Sequence, residues 1–552
     1  MPTSSARPQP ASDTWQSAIL LLLCFAALLV THFPILRLPY FWDESGYYIP
    51  AARDLLLSGS PIPHSTLSNA HPPLLMAYLA AAWKVFGYSP QTTRAAMLLV
   101  AAFTLLGIYR LARRVANTEV ALASVVCTAL YPVFFSQSAM AHLDLAAACL
   151  IIWGLGFYLD QRTVPAIIFF ALACLTKETA VLAPLALLLW QLVASAIVTR
   201  SSIFNSVGIK RSTHRPIARS LSLVLAIVPV GAWFALHYAR TGYVFGNPEY
   251  FRYNLASTLN PLRFFAALAL RLWHLLGYMN MFLLTFATAL AMFLPPQRDP
   301  GRARRTAGGN GEPEIARRAI ARDVQTVFYV LILVHVVALS ILGGAVLARY
   351  LLPVYPLLVI LCVSTLRRRV PWWRAFVAII CAGFVISAVI NPPYRFAPED
   401  NLAWSDYVRL HQSAGAYVAQ HHPEGRVLTA WPATDELSHP WLGYVPHAVP
   451  IVAMEDFSAP QVLAAADARS QYRAALVFST KYEPRYLLRL PGWERLQERF
   501  FGYHRDLPPE LIARMLGARV VFEQHRGQQW VAVLQLDTVE NARLRGLAPT
   551  DK

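Results

Sequence analysis

Apolar runs of about twenty residues recur from Ser17 to Ile390, and a helix needs a run of about that length to cross a hydrocarbon core about 30 Å thick. A soluble core rarely needs so many. The chain has 552 residues, of which 56% are hydrophobic and 14% are Asp, Glu, Lys or Arg, against about 25% charged residues in an average soluble domain. Eleven spans are predicted, at 17–33, 92–109, 118–136, 141–159, 163–176, 178–198, 219–238, 266–295, 325–344, 347–366 and 374–391. Residues 73–87 are a further helix candidate, and 266–295 is long enough to hold a lateral helix besides a span. The expected fold class is a polytopic α-helical membrane protein with about 11 (10–13) transmembrane helices and a C-terminal extracytoplasmic α/β domain.

Charge divides the chain the same way. Residues 1–394 carry 31 Lys and Arg against 13 Asp and Glu, while residues 395–552 carry 17 against 18. The overall charge of +17 thus belongs to the membrane part. It is not a nucleic-acid footprint, which needs a basic face and a recognition element, and no nucleic-acid partner is expected. Membrane lipids are. The six cysteines, Cys24, Cys127, Cys149, Cys174, Cys362 and Cys381, all fall in apolar spans and imply no disulfide framework.

Lys and Arg in short loops set orientation. Arg110, Arg113 and Arg114 form one basic loop, and Arg200, Lys210, Arg211, Arg215 and Arg219 a second. Residues 298–322 hold seven Arg, and Arg367, Arg368, Arg369 and Arg374 form the last group. With these spans all four loops fall on one side, taken as cytoplasmic together with the leader 1–16. The membrane domain is 17–394. Segments 34–91, 239–265 and 392–552 then face outward, which for a bacterial inner membrane is the periplasm. Past Pro392 and Pro393, helices at Trp404–Gln420 and Ser458–Ala468 alternate with strands at Arg426–Ala430, Ala474–Ser479, Val520–Phe522 and Trp530–Gln535. This pattern predicts a small α/β domain over 395–552.

The most informative stretch follows the first span: Pro39-Tyr40-Phe41-Trp42-Asp43-Glu44-Ser45-Gly46-Tyr47-Tyr48. Two carboxylates stand just outside the bilayer among aromatic rings. Interfacial aromatics are ordinary anchors, whereas a carboxylate there suits a general base. Asp43 equally suits an N-cap of the amphipathic helix that continues over Ile49–Leu57. In Asn69-Ala70-His71-Pro72-Pro73-Leu74, Pro73 opens a helix and Pro72 holds His71 extended. His71 is either an anion-binding group at a helix mouth or an ordinary surface histidine.

Charged residues inside apolar segments are costly and raise a functional hypothesis. Asp144 lies within a turn of the outer end of its span, where it can share a cavity with Asp43 or pair with a neighbouring cation. Lys177-Glu178 separates two apolar runs. Arg349-Tyr350 begins the tenth span. Both cations can hold a phosphate or snorkel to the headgroups. The loop 239–265, with Tyr243, Glu249 and Tyr250, is polar and aromatic, as a sugar-binding or lid segment would be; Tyr47 and Tyr350 are further sugar- or acceptor-binding candidates. Asp435, Glu436, His439 and Trp441 form no recognisable catalytic pattern.

Outward acids, phosphate-holding cations and a large membrane part fit one reaction. A sugar on a polyprenyl-phosphate lipid enters an outer cavity, with Arg349, Lys177 and His71 on the phosphate. Asp43, with Glu44 and Asp144 beside it, takes the proton of an acceptor hydroxyl as it attacks the anomeric carbon. A divalent metal near Asp43, Glu44 or Asp144 is compatible with this set, although no compact ligand motif demands one. The acceptor class stays open between glycolipid, glycan and protein. A transporter or lipid flippase is the alternative, and it should show internal repeats and helices broken near the midplane.

Trp42-Asp43-Glu44, His71-Pro72-Pro73-Leu74, Asp144, Leu175-Thr176-Lys177-Glu178 and Arg349-Tyr350-Leu351-Leu352-Pro353 occur in order over about 20–390. In this the chain resembles the polyprenyl-phosphate-dependent membrane glycosyltransferases of the GT-C class. It is most similar to the protein O-mannosyltransferase group (glycosyltransferase family 39), which includes the bacterial aminoarabinose transferases that modify lipid A. The resemblance implies that Asp43 is the catalytic carboxylate, that Asp144 contributes to the same site, and that polyprenyl phosphate lies near Lys177 and Arg349. His71 departs from the Lys-Pro-Pro of the aminoarabinose transferases and matches the protein mannosyltransferases.

Overall fold

The computed structural model describes residues 11–201, 221–246, 260–298, 316–342, 344–484 and 491–536. Glu249 and Tyr250, Lys210, Arg211, Arg215 and Arg219, and most of the Arg-rich 298–322 loop lie outside the described residues.

Apolar sequence becomes helix nearly throughout the membrane part. The helices are α1 (Ala11–His32), α2 (Ile49–Ser58), α3 (Leu74–Phe86), α4 (Pro90–Val115), α5 (Thr118–Leu130), α6 (Pro132–Gln137), α7 (Leu143–Leu159), α8 (Thr163–Thr176) and α9 (Leu182–Ser201). They continue with α10 (Val228–Thr241), α11 (Pro261–Leu276), α12 (Met281–Ala291), α13 (Arg322–Ile341), α14 (Tyr355–Arg369) and α15 (Trp373–Val389). Large apolar side chains point away from the protein on several of them, among them Phe286 at 64% exposure and Leu333 at 62%. Water would oppose such a surface and lipid accepts it. The protein is a multi-pass membrane protein.

Five helical stretches among the described residues are long and apolar enough to cross a bilayer: Trp15–Ile35, Pro90–Val115, Ser222–Thr241, Pro261–Ala291 and Arg322–Ile341. Six further apolar helices have only 10–17 residues, among them Thr163–Thr176, expected as a span of 14 residues. Two other expected spans are broken. The expected span 118–136 is cut at Tyr131, which adopts φ −62° and ψ 123° because the ring of Pro132 disfavours helix in the residue before it. The stretch 266–295 is cut where Met279 and Asn280 take φ of 48° and 65°. That break leaves no loose ends: Met279 N donates to the Tyr394 hydroxyl at 2.9 Å, and Asn280 Nδ2 to the Gly383 carbonyl at 2.8 Å.

Basic ends gather. Glu119, in the first turn of α5, accepts from Arg367 at 2.6 Å and from Arg374 at 2.5 Å. Arg317 donates to the Arg367 carbonyl at 2.6 Å, and Arg114 pairs with Asp160 at the end of α7. Asp144 opens α7 at its other end, Lys177 follows the far end of α8, and Arg349 precedes α14, whose last turn holds Arg367. The described basic loops therefore share one end of the bundle, and Asp144, Lys177 and Arg349 lie at the opposite end.

Against that opposite end packs a five-stranded sheet, β1 (Val427–Ala430), β2 (Ile451–Met454), β3 (Ala474–Phe478), β4 (Ala518–Arg526) and β5 (Gln529–Leu536), in the order β2-β1-β3-β5-β4. β1 pairs parallel with β2 and β3, while β5 pairs antiparallel with β3 and β4. Helix α16 (Ala403–His421) lies against the sheet, where Gln529 Nε2 donates to the Ala403 carbonyl at 2.9 Å. β2, a four-residue edge strand without a fully buried side chain, was missed in the sequence although Ile451-Val452-Ala453-Met454 is an apolar run. Tyr444 donates to the Tyr40 carbonyl at 2.7 Å and Tyr88 to the Trp441 carbonyl at 2.9 Å, so the sheet unit is fastened to the loop after α1 and the turn before α4.

Candidate functional site

The loop after α1 sends two adjacent carboxylates opposite ways. Glu44 turns inward and is fully buried. Its Oε1 accepts from Arg94 Nη1 at 2.7 Å and Ala141 N at 2.6 Å, and its Oε2 from Phe41 N at 2.9 Å. Arg94, also fully buried, donates to the carbonyls of Ala139 and Pro39, both at 2.7 Å. Glu44 was expected beside Asp43 in the chemistry; its oxygens instead clamp this loop to α4 and to the turn before α7.

Asp43 turns toward Arg349 and binds it. Its side chain makes no capping hydrogen bond to the turn that follows, so the capping alternative does not describe it. The residue before it is strained: Trp42 has φ 45°, rare for a bulky side chain. Rings of Tyr407 and Trp431, from the sheet unit, hold Trp42 with centroids 5.6 and 5.5 Å away.

Arg349 is 3% exposed and gathers four partners. Besides Asp43, its Nη1 donates to Glu399 at 2.7 Å and lies 2.9 Å from His142 Nδ1, and its Nε stands 3.4 Å from Asp144 Oδ2. Asp144 in turn accepts from Lys177 Nζ at 2.5 Å. Lys177 can reach because α8 ends beside it: its backbone is extended, with φ −149° and ψ 131°, and its ammonium sits 4.0 Å from the centre of the Tyr350 ring. Arg271, buried on α11, lies 5.3 Å from the same ring. Asp43, Asp144, Lys177, Arg349 and Tyr350, drawn from four places in the sequence, thus form one cluster.

The other candidates lie around it. His71 Nδ1 is 2.9 Å from Glu178 Oε2, so its imidazole is engaged with a carboxylate. The Tyr47 ring lies tilted against Trp431, with centres 5.5 Å apart. Tyr243 is 48% exposed, and its carbonyl meets His237 Nδ1 at 2.7 Å. In the sheet unit Glu436 binds buried His411 at 2.6 Å, and burial together with Glu436 pushes Asp435 up to about 7.

His142, Arg271 and Glu399 were missed in the sequence. Arg271 carried a usable signal, a charge inside an apolar helix. Glu399 did not, because its neighbours are those of an ordinary surface loop. Burial pushes Glu399 up to about 8, with the Arg349 charge pulling against it; burial likewise raises Asp400, which accepts from the Tyr278 hydroxyl at 2.6 Å, to about 7.

Among the described residues no group of three or more His, Cys, Asp and Glu side chains has metal-binding spacing. Asp43 and Asp144 face Arg349 and Lys177, and Glu44 is sealed away with Arg94, so these three acids do not converge as metal ligands. Beside the cluster a narrow cavity, with room for little more than one water-sized group, opens between α7, α9 and α13, lined by Asp144, Lys177, Tyr350, Ile151, Leu182 and His335, among others.

Residues 70–233 match the family model described as dolichyl-phosphate-mannose-protein mannosyltransferase. No curated protein matches the chain. Two crystal structures of ArnT from Cupriavidus metallidurans share its fold: the apo form, at 15% identity and a TM-score of 0.50, covering 98% of this chain and 100% of that one, and the form bound to undecaprenyl phosphate, at 15% identity and 0.50, covering 95% and 98%. Through the family match, which contains His71, Asp144 and Lys177, and through the shared fold, this chain is similar to the GT-C membrane glycosyltransferases.

Proposed function

We propose that the chain is an inverting glycosyltransferase that moves a sugar from a polyprenyl-phosphate donor to a hydroxyl acceptor at the outer, periplasmic face of a bacterial inner membrane. The observation that carries this reading is the single cluster in which Arg349 joins Asp43 to Asp144 and Lys177 beside a cavity. The polyprenyl-phosphate donor is also suggested by the lipid bound to one ArnT structure.

In this reading the donor phosphate settles against Lys177, Arg349 and the nearby Arg271. Low dielectric strengthens these attractions. A phosphate arriving at Arg349 shares the guanidinium with Asp43 and leaves the Asp43 carboxylate, 19% exposed, facing the acceptor. The acceptor oxygen bonds to the anomeric carbon from the face opposite the phosphate, and the carbon–oxygen bond to phosphate breaks. The acceptor proton passes to Asp43, and polyprenyl phosphate leaves with both electrons of the broken bond, its charge held by the cations. One displacement inverts the anomeric centre. Asp144 positions Lys177, and Glu44 with Arg94 positions the Asp43 loop. The acceptor is a glycolipid, glycan or protein hydroxyl.

The test is reconstitution of the purified full chain with undecaprenyl-phosphate sugars and a panel of acceptors, beside Asp43→Asn. Transfer with inversion by the parent and its loss in the variant are expected. Equal transfer by both would remove Asp43 from the chemistry, and no transfer with any donor would remove the reading.

A further inference from the structure

His335 sits in α13, within the span Arg322–Ile341, and is 2% exposed. Its Nδ1 is 2.8 Å from the Leu331 carbonyl. A carbonyl only accepts, so Nδ1 carries the hydrogen. The neutral ring, the form that puts no unpaired charge in the span, then presents a lone pair at Nε2. That atom is buried and has no hydrogen-bond partner in the protein. An unmet polar atom at this depth is costly and calls for an explanation.

Its surroundings supply one. His335 lines the cavity that Asp144, Lys177 and Tyr350 also line. The rest of the wall, including Ile151, Leu182 and Leu339, is apolar except for Thr179, whose hydroxyl makes no hydrogen bond to Nε2. Leu339 stands one helical turn nearer the end of α13 that leads to Arg349, so His335 lies deeper than the ionic cluster. Whatever fills the cavity meets the Lys177 ammonium, paired with Asp144, at its mouth and a lone pair further in. Phosphate oxygens accept hydrogen bonds, so they suit the mouth and are repelled by a bare Nε2. A sugar hydroxyl donates, so it suits Nε2.

We infer that His335 Nε2 accepts a hydrogen bond from a hydroxyl of the lipid-linked sugar and so helps select the donor. This rests on the donor site proposed above and adds to it the group that reads the sugar rather than the phosphate.

The experiment compares two probes on the full chain in detergent: undecaprenyl phosphate, which has no sugar, and undecaprenyl phosphate carrying the sugar that the parent protein transfers. His335→Leu should weaken binding of the glycosylated lipid about tenfold, the effect of one lost buried hydrogen bond. Its binding of undecaprenyl phosphate should stay within about twofold of the parent. His335→Gln, which keeps an acceptor, should recover part of the loss. Lys177→Ala should weaken both lipids. Equal weakening of both by His335→Leu would assign the residue to phosphate or tail and overturn the inference. No weakening of either would mean that a resident water alone serves Nε2, and would also overturn it. If the parent bound neither lipid, the donor site itself would fall, and the inference with it.

Discussion

Arg349 binds Asp43, a residue 306 positions earlier in the chain, while its other terminal nitrogen donates to Glu399. One guanidinium therefore fixes the proposed base against both the end of the membrane bundle and the segment that leads into the sheet unit. A fork of this kind orients a carboxylate as well as neutralising it.

Asp43→Asn keeps the shape of the side chain but cannot take a proton. The turnover rate should fall by roughly 10²–10⁴, the usual contribution of a general base, with donor affinity little changed. Single-turnover transfer alongside equilibrium donor binding separates the two. A variant that bound donor poorly but turned over normally would give Asp43 a binding role instead.

Glu399 makes donor binding sensitive to alkali. Its carboxyl is held up to about 8 by burial, so it is neutral below that pH and charged above it. Below about 8, Asp43 and Asp144 face Lys177, Arg349 and the nearby Arg271; above it a third negative charge joins them and opposes the donor phosphate. The donor KM should rise by roughly tenfold through this range, the effect of one charge about 10 Å away at an effective dielectric of about 20. The sign for stability is the same: a folded pKa raised above the unfolded one contributes stability at low pH that is lost as pH rises through about 8. Glu399→Gln should flatten both profiles. An unchanged alkaline limb in that variant would assign it to another group.

Much of this site was legible in the sequence because intramembrane charge is costly. Asp144, Lys177 and Arg349 stood out against apolar neighbours, and the structure sets them within one ion-pair network. Periodicity and charge likewise brought out the helical membrane part and the basic loops. Partner choice was not legible. Nothing in Asp43-Glu44 says that one carboxylate meets Arg349 and the other Arg94, since backbone torsion at Trp42 decides it. Glu399 was hidden because its burial comes from long-range packing, and His335 because a lone histidine in an apolar run is usually a core residue.

Glu44 and Arg94 form an ion pair with no exposure on either side. Removing one partner of such a pair leaves a buried charge and typically costs about 3–5 kcal/mol. Glu44→Ala should therefore lower thermal stability in detergent markedly, and activity with it. Replacing both residues by methionine should recover much of the stability, because neither charge is then stranded. If Glu44→Ala were fully stable and only inactive, Glu44 would belong to the chemistry after all.

Gly46 marks where the loop after α1 meets the sheet unit. A Cβ there would lie 2.3 Å from the Trp431 indole nitrogen, well inside contact distance. Trp431 cannot swing away freely, because Trp42 and Tyr47 flank it with ring centres 5.5 Å off. Gly46→Ala should therefore push on Trp431, disturb the strained Trp42, and misplace Asp43 beside it. Turnover should drop by roughly 10² for a displacement of about 1 Å, while donor binding through Lys177 survives. Trp431→Ala in the same chain makes room for the added methyl group. The double variant should then turn over faster than Gly46→Ala alone, a coupling that a double-mutant cycle measures directly. Strictly additive losses would mean that Trp431 does not transmit the clash, and the sheet unit would lose its assigned part in holding the base.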